Sequence, residues 1–234
     1  MEDLATQMRC SPAHVHDLLR ELRKLGWDVK AVGDHGFILT ESLELLDKQR
    51  ILSSIHPDAK AVLSGLQIES TLDSTNSALR RQPLDEQHAC VILAEHQSLG
   101  RGRRGREWVS PFARNLYLSL GWRFDKSPAE LSCLPLVVAL ATANALSRAG
   151  LRGHCIKWPN DVLLDGKKLC GCLVDTQSEP HGPLHTTLGI GINVHMPVSD
   201  LTEGINQAWT DLSRHLPDVS RNALAAILLE ELFD

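Results

Sequence analysis

The most unusual chemistry in the sequence sits in Gly100-Arg101-Gly102-Arg103-Arg104-Gly105-Arg106, four arginines and three glycines in seven residues, followed by Glu107-Trp108. Such a run makes neither a good strand nor a helix interior. Glycine lets the backbone approach a ligand closely, and arginine guanidinium groups fork onto phosphate or carboxylate. The chemistry this allows is capture of an anionic small molecule under a loop. A solvated basic loop or a nucleic-acid arm has the same composition, since arginine-glycine runs also serve RNA-binding tails. The segment lies between two apolar strand-like stretches inside a domain, which favours the ligand lid.

Lys157-Trp158-Pro159-Asn160-Asp161 leads into a predicted hairpin that continues through Lys167-Lys168-Leu169-Cys170-Gly171. A lysine on a hairpin rim beside an Asn-Asp pair can hold a phosphate and a metal ion. Pro-Asn-Asp is also ordinary turn chemistry. Asp73-Ser74-Thr75-Asn76 precedes the helix-like Ala78-Leu79-Arg80-Arg81, so helix capping is its first expected duty. The same site presents N–H groups and hydroxyls to a polar ligand. Gly189-Ile190-Gly191-Ile192-Asn193 sets glycines on alternate positions of a strand, which means close approach of a ligand or a bend. No G-x-G-x-x-G opens a helix, and no Walker A sequence is present. Cys170-Gly-Cys172 has the wrong spacing for a zinc knuckle, and the histidines form no HExxH. Dinucleotide, metalloenzyme and cysteine-nucleophile chemistry are set aside.

The elements that must position these groups follow from periodicity. Residues 91–94 read as a fully buried strand and 116–124 as a half-buried one, with Leu116, Leu118 and Leu120 alternating against Tyr117, Ser119 and Gly121. Residues 130–149 read as an apolar helix closed by Gly150. Residues 162–164 and 169–174 form a hairpin whose Asp165-Gly166 turn suits type I′. A strand over 188–194 and a helix over 222–233 follow. The first forty residues have a different pattern. Leu4, Ala5 and Met8 suggest a short helix, Arg9-Cys10-Ser11 a turn, and Ser11-Pro12 the start of a second helix striped by Val15, Leu18, Leu19, Leu22 and Leu25. Gly26 caps it, and residues 27–32 and 36–39 make two strands around Gly33-Asp34-His35-Gly36. That is a winged helix-turn-helix outline without the third helix that normally completes its core. Residues 41–55 read as a polar linker helix. The fold class is α+β on a largely antiparallel sheet: a partial winged module over 1–40, a linker over 41–55 and a main domain over 56–234.

A chain of 234 residues with 43% hydrophobic and 23% charged residues is globular in composition, which excludes disorder, collagen and coiled coil. A net charge of -5 makes general nucleic-acid binding unfavourable except through a local patch. The six cysteines are scattered and read as reduced thiols of a cytoplasmic protein. The longest apolar stretch, 133–146, contains Pro135 and is shorter than the roughly 20 residues of a membrane span.

Taken together and in order, the motifs resemble those of the biotin protein ligases, the biotin–[biotin carboxyl carrier protein] ligases, of the bifunctional ligase/repressor type. The likeness rests on Asp73-Ser-Thr-Asn76, Gln97-Ser-Leu-Gly-Arg-Gly-Arg-Arg-Gly-Arg106 with Trp108, Lys157-Trp-Pro-Asn-Asp161 and Lys168-Leu-Cys-Gly171, supported by Gly189-Ile-Gly-Ile-Asn193 and Asn206-Gln-Ala-Trp209. It implies a class II synthetase-like catalytic domain that joins biotin and ATP, with Mg2+, into biotinyl-5′-AMP. The biotin then passes to a lysine of the biotin carboxyl carrier protein of acetyl-CoA carboxylase. It implies catalytic roles for Lys168 and Arg103. Ser74, Thr75, Asn76, Gln97, Arg101, Gly102, Arg103, Lys168 and Gly171 would surround biotin. Arg106, Trp108, Lys157, Asn160, Asn193 and Trp209 would surround the adenylate, with Asp161 on the magnesium side. The Arg-Gly loop would be a disordered segment that orders on binding and keeps water from the anhydride.

Both ends depart from the family pattern. The helix missing from the winged module argues against operator binding. The chain stops at Glu231-Leu-Phe-Asp234, where the family continues into an SH3-like barrel, which puts turnover in question. Competing readings are a lipoate ligase on the same fold, a biotin-sensing DNA-binding protein and a truncated pseudoenzyme. A homodimer through a sheet edge is also implied; a membrane role is not.

Overall fold

The computed structural model describes residues 2–25, 27, 29–33, 36–41, 44–178, 182–197 and 200–234. It begins with α1 (Glu2–Met8), α2 (Pro12–Lys24) and the antiparallel pair β1 (Val29–Ala31) and β2 (Phe37–Leu39). Ser11 caps α2 by accepting the His14 N–H at 3.2 Å, and Pro12 occupies the first turn. The expected Gly26 cap and the Asp34-His35 turn lie outside the described residues. Val15 and Leu19 meet Ala5, Trp27 and Val29 in a small core, which is completed by Phe112 and Ala113 of the main domain. Trp27 Nε1 donates to the Phe112 carbonyl at 2.9 Å, and the Arg114 guanidinium lies 3.9 Å over the indole. Two short helices and a hairpin bury little surface alone. Here the main domain supplies the missing part of their core.

The helix expected over 41–55 is shorter: residues 44–47 are non-helical and α3 (Lys48–Ser54) starts after Asp47, whose carboxylate accepts the Arg50 N–H at 2.8 Å. Side-chain ties hold the preceding residues in place. Glu44 accepts from Ser220 Oγ at 2.7 Å and Asn222 Nδ2 at 2.9 Å, while Leu46 N donates to Glu95. The segment is stitched onto the main domain and does not span a gap.

After α4 (Pro57–Val62) come β3 (Gly65–Glu69), α5 (Thr75–Arg80), β4 (Cys90–Ala94), β5 (Leu116–Phe124) and α6 (Leu134–Arg148). Then follow β6 (His154–Lys157), β7 (Asp161–Leu164), β8 (Lys167–Ser178), β9 (Leu184–Ile192), the short α7 (Asp200–Glu203) and α8 (Arg221–Phe233). The sheet order is β3-β4-β5-β9-β8-β7-β6, with β3–β4 parallel and the other neighbours antiparallel. α6 starts four residues later than the apolar pattern suggests, because Pro135 is best placed in a first helical turn and Glu130 instead caps a turn at Ser127. β9 starts earlier than expected and ends at Ile192, since it is paired along its length by β5 and β8. Asp165 and Gly166 have φ of +50° and +72°, as a type I′ turn requires.

The sheet separates its residues by parity. Leu116, Leu118 and Leu120, Leu188, Ile190 and Ile192, and Cys170 and Cys172 pack into the core beneath α6 and α8. Burying each leucine contributes about 1.5–3 kcal/mol, so a one-residue slip that exposed the set is strongly disfavoured. The other face, carrying Ser119, Gly171, Asp175, Gly189 and Gly191, is left for polar work. Among the described residues no helix is long and apolar enough to cross a membrane.

Candidate active site

The floor of the site is made of glycines because other side chains lie on it. A Cβ on Gly189 would overlap the Asn76 amide, and one on Gly191 would come within 2.5 Å of the Trp108 indole. At Gly171 it would meet Trp108 at 2.9 Å and Lys168 Cε at 3.1 Å. The alternate glycines therefore record close approach by Asn76 and Trp108; β9 runs unbent between its neighbours.

At one end, the start of α5 meets the sheet. Ser74 holds the N-cap position without a side-chain capping bond, so the capping role expected for it is not performed. The backbone there is held instead by Asp73, which accepts the Ser74 N–H at 2.8 Å and pairs with Arg81 through two contacts of 2.7 and 2.9 Å. The Arg81 hydrogen bonds bring the Asp73 carboxyl down to about 2 against the cost of burial. Gln97 Oε1 accepts from Thr75 N at 2.9 Å and Thr75 Oγ1 at 3.2 Å, and Gln97 Nε2 donates to Ser110 Oγ at 3.1 Å. Ser119 Oγ lies 2.8 Å from Thr75 Oγ1 and 2.6 Å from Asn76 Oδ1. Ser74, Thr75, Asn76 and Gln97 are all buried, a neutral polar pocket with its amides already oriented.

The Arg-Gly segment is a folded hairpin, not the disordered loop expected. Trp108 N donates to Gly100 O at 2.9 Å, Gly102 N to Arg106 O at 2.7 Å, and Arg101 bridges Glu107. The tip turns through Arg104 and Gly105 at φ of +60° and +73°. Arg103 Nη1 donates to Asn160 Oδ1 at 2.8 Å, and Arg101 Nη2 to Asp175 Oδ2 at 3.2 Å, so the hairpin is held on both sides. Asn160 is itself fixed by its Nδ2 bond of 2.7 Å to the Cys172 carbonyl.

Lys168 reaches this site through a register shift. Val162 faces Cys170 but Leu163 faces Lys168, leaving Leu169 as an extra residue in β8. Leu169 and Cys170 are both fully buried in the core, and Lys168 turns to the opposite face, the re-aiming a bulge performs. Its Nζ lies 2.8 Å from Asp161 Oδ1 and 5.4 Å from the Trp108 ring centroid. Its backbone pairs with the 208–210 segment (Lys168 N to Ala208 O and Thr210 N to Lys168 O, both 2.9 Å), and Asn193 Nδ2 donates to Thr210 O at 3.1 Å. These bonds seat Trp209 beside the lysine.

Two cavities meet along Trp108 and Lys168. The first, about 520 Å³, is lined by Ser74, Thr75, Asn76, Gln97, Arg101, Gly102, Arg103, Lys168 and Gly171 among others. The second, about 430 Å³, is lined by Val109, Met196 and Ile205 together with Asn193 and Trp209. Arg106 and Trp108 border both. Lys157 and Asn160, grouped by sequence with Asn193 and Trp209, line the first cavity and are absent from the second. Asp161 is engaged by Lys168, and among the described residues no three His, Cys, Asp or Glu gather into a metal site. The Trp108 Nε1–H is buried without a partner among the described residues, at the junction of the cavities. Sequence reasoning missed Ser119 and Asp175. Their signal was parity: Ser119 alternates with core leucines, and Asp175 stands four residues after Gly171 on the same face of β8.

Comparison with known proteins gives a consistent set of similarities. The sequence model of the biotin/lipoate A/B protein ligase family matches residues 65–193. The chain is 37% identical over 233 residues to the bifunctional ligase/repressor BirA of Escherichia coli (strain K12), covering 99% of this chain and 70% of that protein. It is 40% identical over 124 residues to a biotin--[acetyl-CoA-carboxylase] ligase of Paracoccus denitrificans, covering 52% of this chain and 51% of that one. Among solved structures it resembles the biotin protein ligase from Aquifex aeolicus in complex with biotin and ATP, with a TM-score of 0.59 and 29% identity over 73% of this chain and 69% of that chain.

Proposed function

Because this chain belongs to the biotin/lipoate A/B protein ligase family, we propose that it is an ATP-dependent biotin ligase acting on the carrier protein of acetyl-CoA carboxylase in the cytoplasm. The observation that carries this reading is the meeting of two cavities at Lys168, with Arg103 across the opening. The pre-oriented neutral amides and hydroxyls of Thr75, Asn76 and Gln97 suit the ureido ring of biotin. The more apolar cavity beside Trp209 suits an adenine.

Between them a biotin carboxylate oxygen must attack the α-phosphorus of ATP, expelling pyrophosphate. Both partners are anions, so fixed positive charge at their meeting point lowers the barrier more than it lowers the ground state. Lys168 and Arg103 supply it; Mg2+ would belong to the Mg·ATP substrate and would offset phosphate charge, and Asp161, now paired with Lys168, is the carboxylate that would stand on its side. In the second step a neutral lysine amine of the carrier attacks the anhydride carbonyl. It forms the amide, releases AMP and loses a proton. Until then the hairpin keeps water from the anhydride.

Residues 1–40 we read as a partial winged helix-turn-helix docked on the catalytic domain of 56–234, with 41–55 as the connection. A dimer through the sheet edge is the further role this arrangement would support. Pyrophosphate release with Mg·ATP and either biotin or lipoate tests the activity. Release that requires biotin is expected; release with lipoate alone, or with neither, would overturn the reading.

A further inference from the structure

We infer that Asp175 is a positioning residue of the ligase, the latch that holds the arginine hairpin closed over the first cavity; this rests on the function proposed above. One carboxylate joins three elements here. From the floor strand β8, Asp175 Oδ2 accepts Arg101 Nη2 of the hairpin at 3.2 Å and Asn76 Nδ2 of α5 at 3.2 Å, and Arg80 Nη1 lies 3.8 Å away. Its side chain is 22% exposed, so these attractions act partly out of water.

The hairpin has a second anchor, Arg103 to the neutral amide of Asn160, on the opposite side of the opening. Among the described residues only the Asp175 side pairs opposite charges, which adds the attraction of an ion pair to the hydrogen bond. Asp175 also settles which way the Asn76 amide points. Its carboxylate demands the Nδ2 donor, leaving Oδ1 to Ser119 at 2.6 Å. Lid closure and the orientation of a pocket amide are thereby set by the same oxygen. Loss of its charge frees Arg101 and leaves Arg80 and Arg101 facing each other without a counter-ion.

The test uses the full chain with Asp175→Asn, Asp175→Glu, Arg101→Gln and the Asp175→Asn/Arg101→Gln double variant. Without ligands, trypsin should cut within the hairpin faster in Asp175→Asn, while Asp58→Asn, far from the site, is cut as wild type. With biotin and Mg·ATP, the fraction of biotinyl-5′-AMP found free should rise about tenfold in Asp175→Asn and in Arg101→Gln, the scale of one charge-assisted hydrogen bond. The double variant should be no leakier than either single one, and Asp175→Glu should largely restore retention. Wild-type cleavage and retention in Asp175→Asn, or single effects that multiply in the double variant, would overturn the latch. Should the wild type form no adenylate, the ligase reading falls, and the trypsin comparison still decides the latch.

Discussion

Lys168 and Asp161 face each other across the β7–β8 hairpin with Nζ 2.8 Å from Oδ1, beside the Trp108 ring that separates the two cavities. Both side chains are mostly buried, and the pair sets a lysine ammonium where a reaction between anions needs a cation. Removing the lysine leaves Asp161 as uncompensated negative charge at the reacting centre. Lys168→Ala should therefore lower biotin-dependent pyrophosphate release by about 10²–10³-fold, the scale for losing one preorganised charge-stabilising group. Circular dichroism should stay native. Near-normal release would remove Lys168 from the chemistry.

Arg103 both donates to Asn160 and stands over the first cavity. Arg103→Gly removes one hairpin anchor and one of the two cations. Slower adenylate formation is expected, with a larger share of it free in solution, where it labels lysines of a bystander protein. Quenched reactions resolved by mass spectrometry measure the share; a value equal to wild type would contradict the shielding role.

Gly191 is the sharpest packing test. Its nearest neighbours are all atoms of the Trp108 indole, so Gly191→Ala pushes the ring and not the backbone. Overpacking of this kind costs about 1–3 kcal/mol of stability. Misplacing the wall shared by both cavities should cost more in function, about a hundredfold in adenylate formation. Thermal unfolding and pyrophosphate release on the same sample separate the two; a stability loss without an activity loss would show that the ring position does not matter.

The Asp73–Arg81 pair gives an acid-side prediction. Asp73 has a folded value of about 2 against an ordinary 3.8, so its stabilisation is complete above pH 3.8 and is lost as pH falls through 2. The aspartate side chain is 36% exposed, and solvent screening keeps the contribution small. In Asp73→Asn, which cannot titrate, melting temperature should fall less steeply between pH 3.8 and 2 than in wild type. Parallel curves would show that the pair adds nothing.

Much of this was legible in the sequence, for identifiable reasons. Alternation in 116–124 gave both a strand and its two faces, and Asp165-Gly166 gave the hairpin turn, because each depends on neighbours within a few residues. Residues of the four motifs line one pair of cavities that meet at Trp108 and Lys168. Lys168 shows where such reading stops. Strict alternation from Gly171 puts it in the core, and the bulge at Leu169 that turns it outward depends on pairing with β7. Ser74 looked like a helix cap because that pattern is local, whereas Gln97 and Ser119, which hold the adjoining Thr75 and Asn76, lie far away in the chain. The helix over 41–55 was overextended for a similar reason: Glu44 and Leu46 are bound by residues more than forty positions distant.

The most direct test of the whole account is to incubate the purified chain with biotin, Mg·ATP and a biotin carrier domain, and to read the carrier lysine by mass spectrometry. Biotinyl-lysine that forms only when all three are present, with biotinyl-5′-AMP as the intermediate, is the expected result. A folded chain that binds biotin yet yields neither adenylate nor biotinyl-lysine would contradict it.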